Sequence, residues 1–363
     1  MTVHAVVTGI GCVSPTNIGG RDAALVLAAA CPSGPVFQVP DFPLEDHVDN
    51  ARAFRRVAQA TKFALAAVSL ALRDAGLEIG PGDGSRTAVV LGVTHGAIAF
   101  STQFYGGLLQ DGPEGASPML FSESVLNAPA GNVAIAFGIR GPVHTLVGEE
   151  TVGAQALVKA LGLLQSRVVD RCIVAGTEEW GAIIENAYLH MDRAASRSLP
   201  GEDRPPPQGE GAAALVVESP EEAVRRGARL QVPILSLRCS RNPKGDLEGM
   251  VAEMVSEERK ALGEGAGNVS HVVLPTGRNR GPAMRGALRA LEGQGDNIRC
   301  LDISPRIGNP FGAAAVFQMA VSAAHLSSGN ATGTGLVLTS GLEGTCSVVF
   351  FSGCQGGSQE TAR

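Results

Sequence analysis

Residues 138–154 read GIRGPVHTLVGEETVGA. The Gly141-Pro142 pair marks a turn. Val143 to Gly148 (VHTLVG) is then a short strand-type run that ends on a glycine. From Thr151 to Leu164 (TVGAQALVKALGLL) the apolar residues recur at helical spacing. Glu149 and Glu150 stand between the two, at the point where a helix opens. Free backbone N–H groups and the helix dipole favour negative charge there.

The same rhythm extends in both directions. Upstream, Val3–Gly11 and Thr87–Val93 (TAVVLGV) read as buried strands. Arg52–Leu72 and Ser122–Phe137 have helical spacing, and Pro129 and Gly131 disturb the middle of the second. Downstream, strands are predicted at Arg171–Ala175, His271–Leu274, Arg299–Asp302, Gly335–Thr339 and Ser347–Ser352. Ala212–Glu218 and Arg229–Leu237 form a further apolar pair. Helices are predicted at Leu247–Leu262, Ala283–Leu291 and Pro310–Leu326. Alternating strands and helices define an α/β layered fold. The strand–helix order recurs after Asp246, which suggests two halves, 1–228 and 229–353, with a disordered tail at 354–363.

Composition narrows the class. The chain has 363 residues, of which 44% are hydrophobic but only 4% aromatic, so the core must be built from Ala, Val and Leu. A net charge of -6 argues against a general nucleic-acid binder. An acidic protein partner would therefore need a local basic surface. Seven cysteines, an odd number with no CxxC pair, argue against a disulfide framework or a zinc site and for a reducing cytoplasm. The beginning of the chain has no signal-type pattern, and no uncharged stretch reaches spanning length, so no membrane partner is expected. None of the seven histidines pairs with another at metal-ligand spacing.

Several segments, in order, resemble the β-ketoacyl synthase family. They are Val7-Thr8-Gly9-Ile10-Gly11 with Ser14-Pro15, Asn127-Ala128-Pro129-Ala130-Gly131, and Phe137-Gly138-Ile139-Arg140-Gly141-Pro142. They continue with Ala175-Gly176-Thr177-Glu178, Gly209-Glu210-Gly211-Ala212 and Gly341-Leu342-Glu343-Gly344-Thr345. The resemblance covers about Val7 to Val349. It implies a thiolase-like, five-layered αβαβα fold built from two similar halves, and a dimer.

It also implies where chemistry should sit. In the family a cysteine opens the helix after the Gly-Pro strand, where the helix terminus stabilises its thiolate. Two histidines, in HGTGT and GHxxGAAG loops, complete the site. Here Glu150 stands at the cysteine position and Leu274 at the first histidine (Leu274-Pro275-Thr276-Gly277-Arg278). Asn309 replaces the second (Gly308-Asn309-Pro310-Phe311-Gly312), and Ser304 replaces a family lysine. No catalytic position is intact. A carboxylate cannot accept an acyl group from a carrier thioester as a thiolate does, and nucleophile and base act as a unit. Condensing activity is therefore expected to be lost.

The family reading is then a chain-length factor. This is the non-catalytic subunit that pairs with an active ketosynthase in type II polyketide synthases, including those making polyenes. Its partners would be that ketosynthase, as a heterodimer, and an acyl carrier protein bearing phosphopantetheine. No metal or redox cofactor is implied. Phe100, Phe104 and Leu108, spaced i, i+4, i+8 with Tyr105 beside them, would cap the acyl tunnel at the interface. So would Val143, His144, Thr145 and Leu146. Ordinary core packing is the plainer reading of each aromatic residue taken singly. Glu150 has a plain reading as a carboxylate held by the helix dipole, and Asn309 as a satisfier of buried backbone groups. Two other functions stay open. One is a decarboxylase or hydrolase of malonyl- or acyl-carrier substrates that uses Glu150. The other is a homodimeric scaffold.

Overall fold

In the computed structural model, residues 5–29, 37–80, 82–195, 206–242, 245–263, 267–277, 279–292, 298–329 and 333–353 are described. The expected tail at 354–363 lies outside them. The strands are β1 Ala5–Val13, β2 Ile18–Gly19, β3 Thr87–Val93, β4 Val143–Val147, β5 Arg171–Glu178, β6 Gly211–Glu218, β7 Val232–Arg241, β8 Val269–Val273, β9 Arg299–Leu301, β10 Thr334–Ser340 and β11 Thr345–Ser352. The helices are α1 Arg21–Ala28, α2 Gln59–Ala75, α3 Ile98–Asp111, α4 Pro118–Ser124, α5 Ala128–Ala136, α6 Val152–Gln165, α7 Ala182–Ala195, α8 Pro220–Arg225, α9 Leu247–Leu262, α10 Arg280–Leu291, α11 Ser304–Ile307 and α12 Ala314–Ser327.

The main strands run β4-β3-β5-β6-β1-β7-β11-β10-β8-β9, with β2 hanging from β1. This order is one motif used twice. In β1, β3, β4, β5, β6 and again in β7, β8, β9, β10, β11, the spatial sequence is third, second, fourth, fifth, first. The pairing senses repeat as well. The third, second and fourth strands are parallel, and the fifth is antiparallel to both its neighbours. Among the described residues, strand pairing joins the two sets where Ala5–Val7 oppose Val232–Ile234.

The short seam lets the two sets stack. Alternate strand residues point to opposite faces. Val90, Val174 and Leu215 of the first set share one buried cluster with Val273, Val337 and Val349 of the second, and with α6 and α12. The opposite faces are covered separately. Val89, Leu91 and Ile173 pack under α2 and α5, whereas Val272, Leu336 and Phe350 pack under α9 and α10. The result is the five-layer αβαβα arrangement. The helices α6 and α12 occupy equivalent places in the two halves, each between a third and a fourth strand. They cross closely. A Cβ on Gly153 would lie 2.7 Å from Val316 Cγ2 and 3.1 Å from Ala315 Cβ. Small residues let these two helices touch, and the Ala-rich composition serves that contact.

Two predicted helices are shorter than their periodicity suggests. Arg52 lies in a 3₁₀ turn, Ala51–Phe54, and α2 begins only at Gln59. Its first turn is held by two carboxylates, the buried Glu179, whose Oε2 accepts from Ala60 N at 3.0 Å, and the half-buried Glu123, whose Oε2 accepts from Ala58 N at 3.2 Å. That supplies the N-terminal acceptors a helix start needs. The stretch Ser122–Phe137 divides into α4 and α5, because Pro129 sits in the first turn of a new helix.

Candidate functional site

The N-terminal ends of α6 and α12 meet in a crease between the halves. Glu150 precedes α6 and is 3% exposed; Asn309 precedes α12 and is equally buried. Asn309 Nδ2 donates to Glu150 Oε1 at 2.9 Å. Asn309 Oδ1 in turn accepts from Phe311 N at 3.1 Å. The loop after β8 closes the third side. A Cβ on Gly277 would fall 2.5 Å from Glu150 Oε1, so only glycine lets this loop approach the carboxylate. Thr276, fully buried beside it, has a hydroxyl with no partner among the described residues.

Glu149 does different work, which the sequence reading did not single out. Its carboxylate accepts from Glu343 N at 3.0 Å and from Thr345 Oγ1 at 2.7 Å. It thus ties the start of α6 to the Gly341–Thr345 loop of the other half. Asn279 Nδ2 donates to Gly341 O at 2.8 Å and holds the same loop from the other side. Arg280 pairs with Asp302 and donates from Nη1 to Ser304 Oγ at 2.7 Å, so a guanidinium stands at Ser304, the position expected from the sequence to take the place of a family lysine. Arg278 lies outside the described residues.

Leu274 is placed differently. Its side chain joins the outer cluster with Leu336, Leu338 and Ala283, and Gly277, three residues on, is what meets Glu150. Strand alternation explains this: Leu274 continues the face of Val272, which looks toward α9 and α10. The nearby aromatic cluster was also not foreseen. Phe311, in the left-handed region at φ 39, sets its ring 4.8 Å from His95 and 4.7 Å from Tyr188. The Tyr188 hydroxyl lies 3.4 Å from His95 Nε2. The loop carrying His95 is fixed by Glu178, whose carboxylate accepts from the backbone N–H of Thr94, His95 and Gly96.

Chemically, the crease presents a carboxylate hydrogen-bonded to an amide. The buried thiols of Cys12 and Cys172 belong to the central apolar cluster, and burial pushes each up to about 12. Neither supplies a thiolate at neutral pH.

The remaining predicted residues lie on α3 and β4. No residue of α3 is buried, so Phe100, Phe104, Tyr105 and Leu108 are not core. Phe104 instead packs on Phe121 of α4, with ring centroids 5.5 Å apart, and Tyr105 is 60% exposed. The strand β4 is the terminal strand of the sheet. Val143 and Val147 on it are exposed, while His144, Thr145 and Leu146 are half-buried. Leu146 packs against the central cluster. Burial and, after it, the charge of Lys159 push the His144 imidazole below its ordinary range. A second surface feature is basic. Arg52, Arg55 and Lys62 line a shallow cavity with Phe42 and Phe54, and none of the three is ion-paired among the described residues.

A mixed α/β fold of two similar halves, with a crease at the ends of its two central helices, is the thiolase-like ketosynthase architecture. The description "Beta-ketoacyl synthase, N-terminal domain" matches residues 36–223, and the chain belongs to the β-ketoacyl synthase family. It is 29% identical over 207 residues to a 3-oxoacyl-[acyl-carrier-protein] synthase 2 of Staphylococcus aureus, covering 54% of this chain and 51% of that protein. The chain thus spans about half the length of this relative. A protein of the same name from Coxiella burnetii is 26% identical over 287 residues, covering 71% of this chain and 69% of that one. Among solved structures, a type II PKS acyl-carrier protein in complex with its ketosynthase bound to the hexaketide includes a chain that superposes with a TM-score of 0.78 at 17% identity, covering 97% of this chain and 100% of that one. The ishigamide ketosynthase/chain length factor gives 0.75 at 23% identity, covering 96% and 99%. No described helix is long and apolar enough to cross a membrane.

Proposed function

We propose that this chain is a chain-length factor: a subunit that pairs with an active ketosynthase, forms one wall of its acyl tunnel, and makes no carbon–carbon bond itself. One observation carries the reading. Where a ketosynthase needs a thiolate, this chain has Glu150, buried and hydrogen-bonded to Asn309. A carboxylate held this way is a poor acyl acceptor, and no imidazole stands at either family histidine position to serve it.

The outer region supports the same reading. A terminal strand with free backbone edge groups, flanked by exposed apolar side chains, is a surface that a partner covers. On β4 and α5 these are Val143, Val147 and Ile135, the last 75% exposed. The α3–α4 aromatic residues adjoin the tunnel side of that interface in this reading, and set chain length by excluding volume. The cationic surface at Arg52, Arg55 and Lys62 suits an acidic carrier protein, even though the chain as a whole has a net charge of -6.

The test is co-expression with a ketosynthase encoded beside it, with the tag on this chain alone, followed by native mass spectrometry. A one-to-one heterodimer is the expected species. A homodimer of this chain, with the ketosynthase fully active alone, would refute the reading and favour the scaffold alternative.

A further inference from the structure

A cavity of about 370 Å³ lies between the C-terminal end of α1 and the β9–α11 segment. Ala28, Ala29, Leu301 and Pro305 form its apolar wall, and Arg299 and Arg306 supply its charge. Arg306 is only 9% exposed. Its Nε donates to Ala29 O at 2.9 Å, one of the free carbonyls at the end of α1. That bond uses one of five donors. No carboxylate lies within ion-pairing distance of Arg306 or Arg299 among the described residues. The one acid on the wall, Asp302, is already committed. Its Oδ2 pairs with Arg280, and its Oδ1 accepts from Ser304 N at 3.0 Å and Ser304 Oγ at 2.7 Å.

Buried cations in proteins are ordinarily paired, because an unpaired one loses hydration without compensation. A guanidinium nine-tenths buried, with donors facing a cavity and a second guanidinium on its rim, therefore lacks a counterion. The field of Arg299 is felt nearby: after burial, its charge is the next cause holding the His325 imidazole below its ordinary range. The fork geometry of arginine matches the oxygens of a phosphate group, and the volume is that of a small-ligand pocket.

We propose that this cavity is a binding site for a phosphate ester, held by Arg306 with Arg299. The group has two chemical sources, a soluble phosphorylated metabolite or the phosphate of a carrier's phosphopantetheine arm. The site uses neither Glu150 nor Asn309, and the proposal stands whether or not the chain-length-factor reading does.

Calorimetric titration of the full chain at low ionic strength tests it, with pyrophosphate and 4′-phosphopantetheine as separate probes. Saturable one-to-one binding is expected, weakened by added salt. Arg306→Met should reduce affinity about tenfold or more, the scale of one charge-assisted hydrogen-bonded contact. Tighter binding of 4′-phosphopantetheine than of pyrophosphate assigns the carrier arm, and the reverse assigns a free metabolite. Should Arg306→Met not fold, Arg299→Gln on the rim serves instead, with the same loss expected. No saturable heat with either probe, or undiminished affinity in a folded variant, overturns the proposal.

Discussion

The crease between α6 and α12 and the outer region around β4 and α3 differ in how their polar and apolar groups are satisfied. At the crease Asn309 donates to Glu150 and Glu149 holds the Gly341–Thr345 loop, while the Thr276 hydroxyl has no partner among the described residues. Around β4 and α3 the chain leaves apolar side chains in water, with Val147 57% and Leu109 86% exposed. A catalytic pocket shows the opposite balance, with polar groups poised for a substrate and a covered exterior. In this chain Glu150 and Asn309 bond to each other, and the uncovered apolar surface lies elsewhere.

The largest effect should come from charging the β4 edge. In the proposed pair, Val147→Asp is expected to weaken assembly with the ketosynthase more than about 100-fold, as loss of a central interface anchor does. It should change this chain's own stability by only about 0.5 kcal/mol, since the side chain is exposed. Pull-down and thermal melting of the same preparation separate the two. A large loss of stability with assembly intact would reverse the comparison.

Next comes the crease. Asn309→Leu withdraws a hydrogen bond from the buried Glu150 carboxyl group and should destabilise the chain by about 1–3 kcal/mol in denaturant titration. If Asn309→Leu is neutral, the crease is not a structural joint, and the case for a catalytic Glu150 gains. A smaller loss of about 1 kcal/mol is expected for Thr345→Val, which removes the hydroxyl that Glu149 accepts from.

An acid titration sharpens the contrast between interior and exterior polar groups. His271 is fully buried between Ser270, Ser322 and His325, and its imidazole is lowered from 6.5 to about 3, chiefly by burial. The unfolded chain then binds more protons than the folded one between these values. Stability should fall as pH drops from about 6.5 toward 3, and His271→Asn should flatten that slope.

Much of the fold was legible from residues alone. The predicted limits of Thr87–Val93 and Leu247–Leu262 coincide with β3 and α9, because apolar periodicity and the flanking glycines mark them sharply. Helix onsets were less so. The start of α2 depends on Glu179 and Glu123, which are distant in sequence and give no local signal. The site divides in the same way. Spacing from Gly141-Pro142 brought Glu150 and Asn309 into one reading, and they touch. Leu274 had its number but not its direction, and the alternation of Val272, Val273 and Leu274 was the available clue. The partners of Glu149 lie almost two hundred residues away, so its role needed the fold. The unpaired state of Arg306 is likewise visible only in three dimensions.

The most direct test of the account is product length in the reconstituted ketosynthase pair, with Phe104→Ala and Glu150→Gln of this chain measured in parallel. The account predicts longer products from Phe104→Ala, which trims the outer aromatic cluster, and wild-type products at a near wild-type rate from Glu150→Gln. Unchanged products from Phe104→Ala, together with loss of turnover in a folded and assembled Glu150→Gln pair, would contradict it and return the chemistry to the crease.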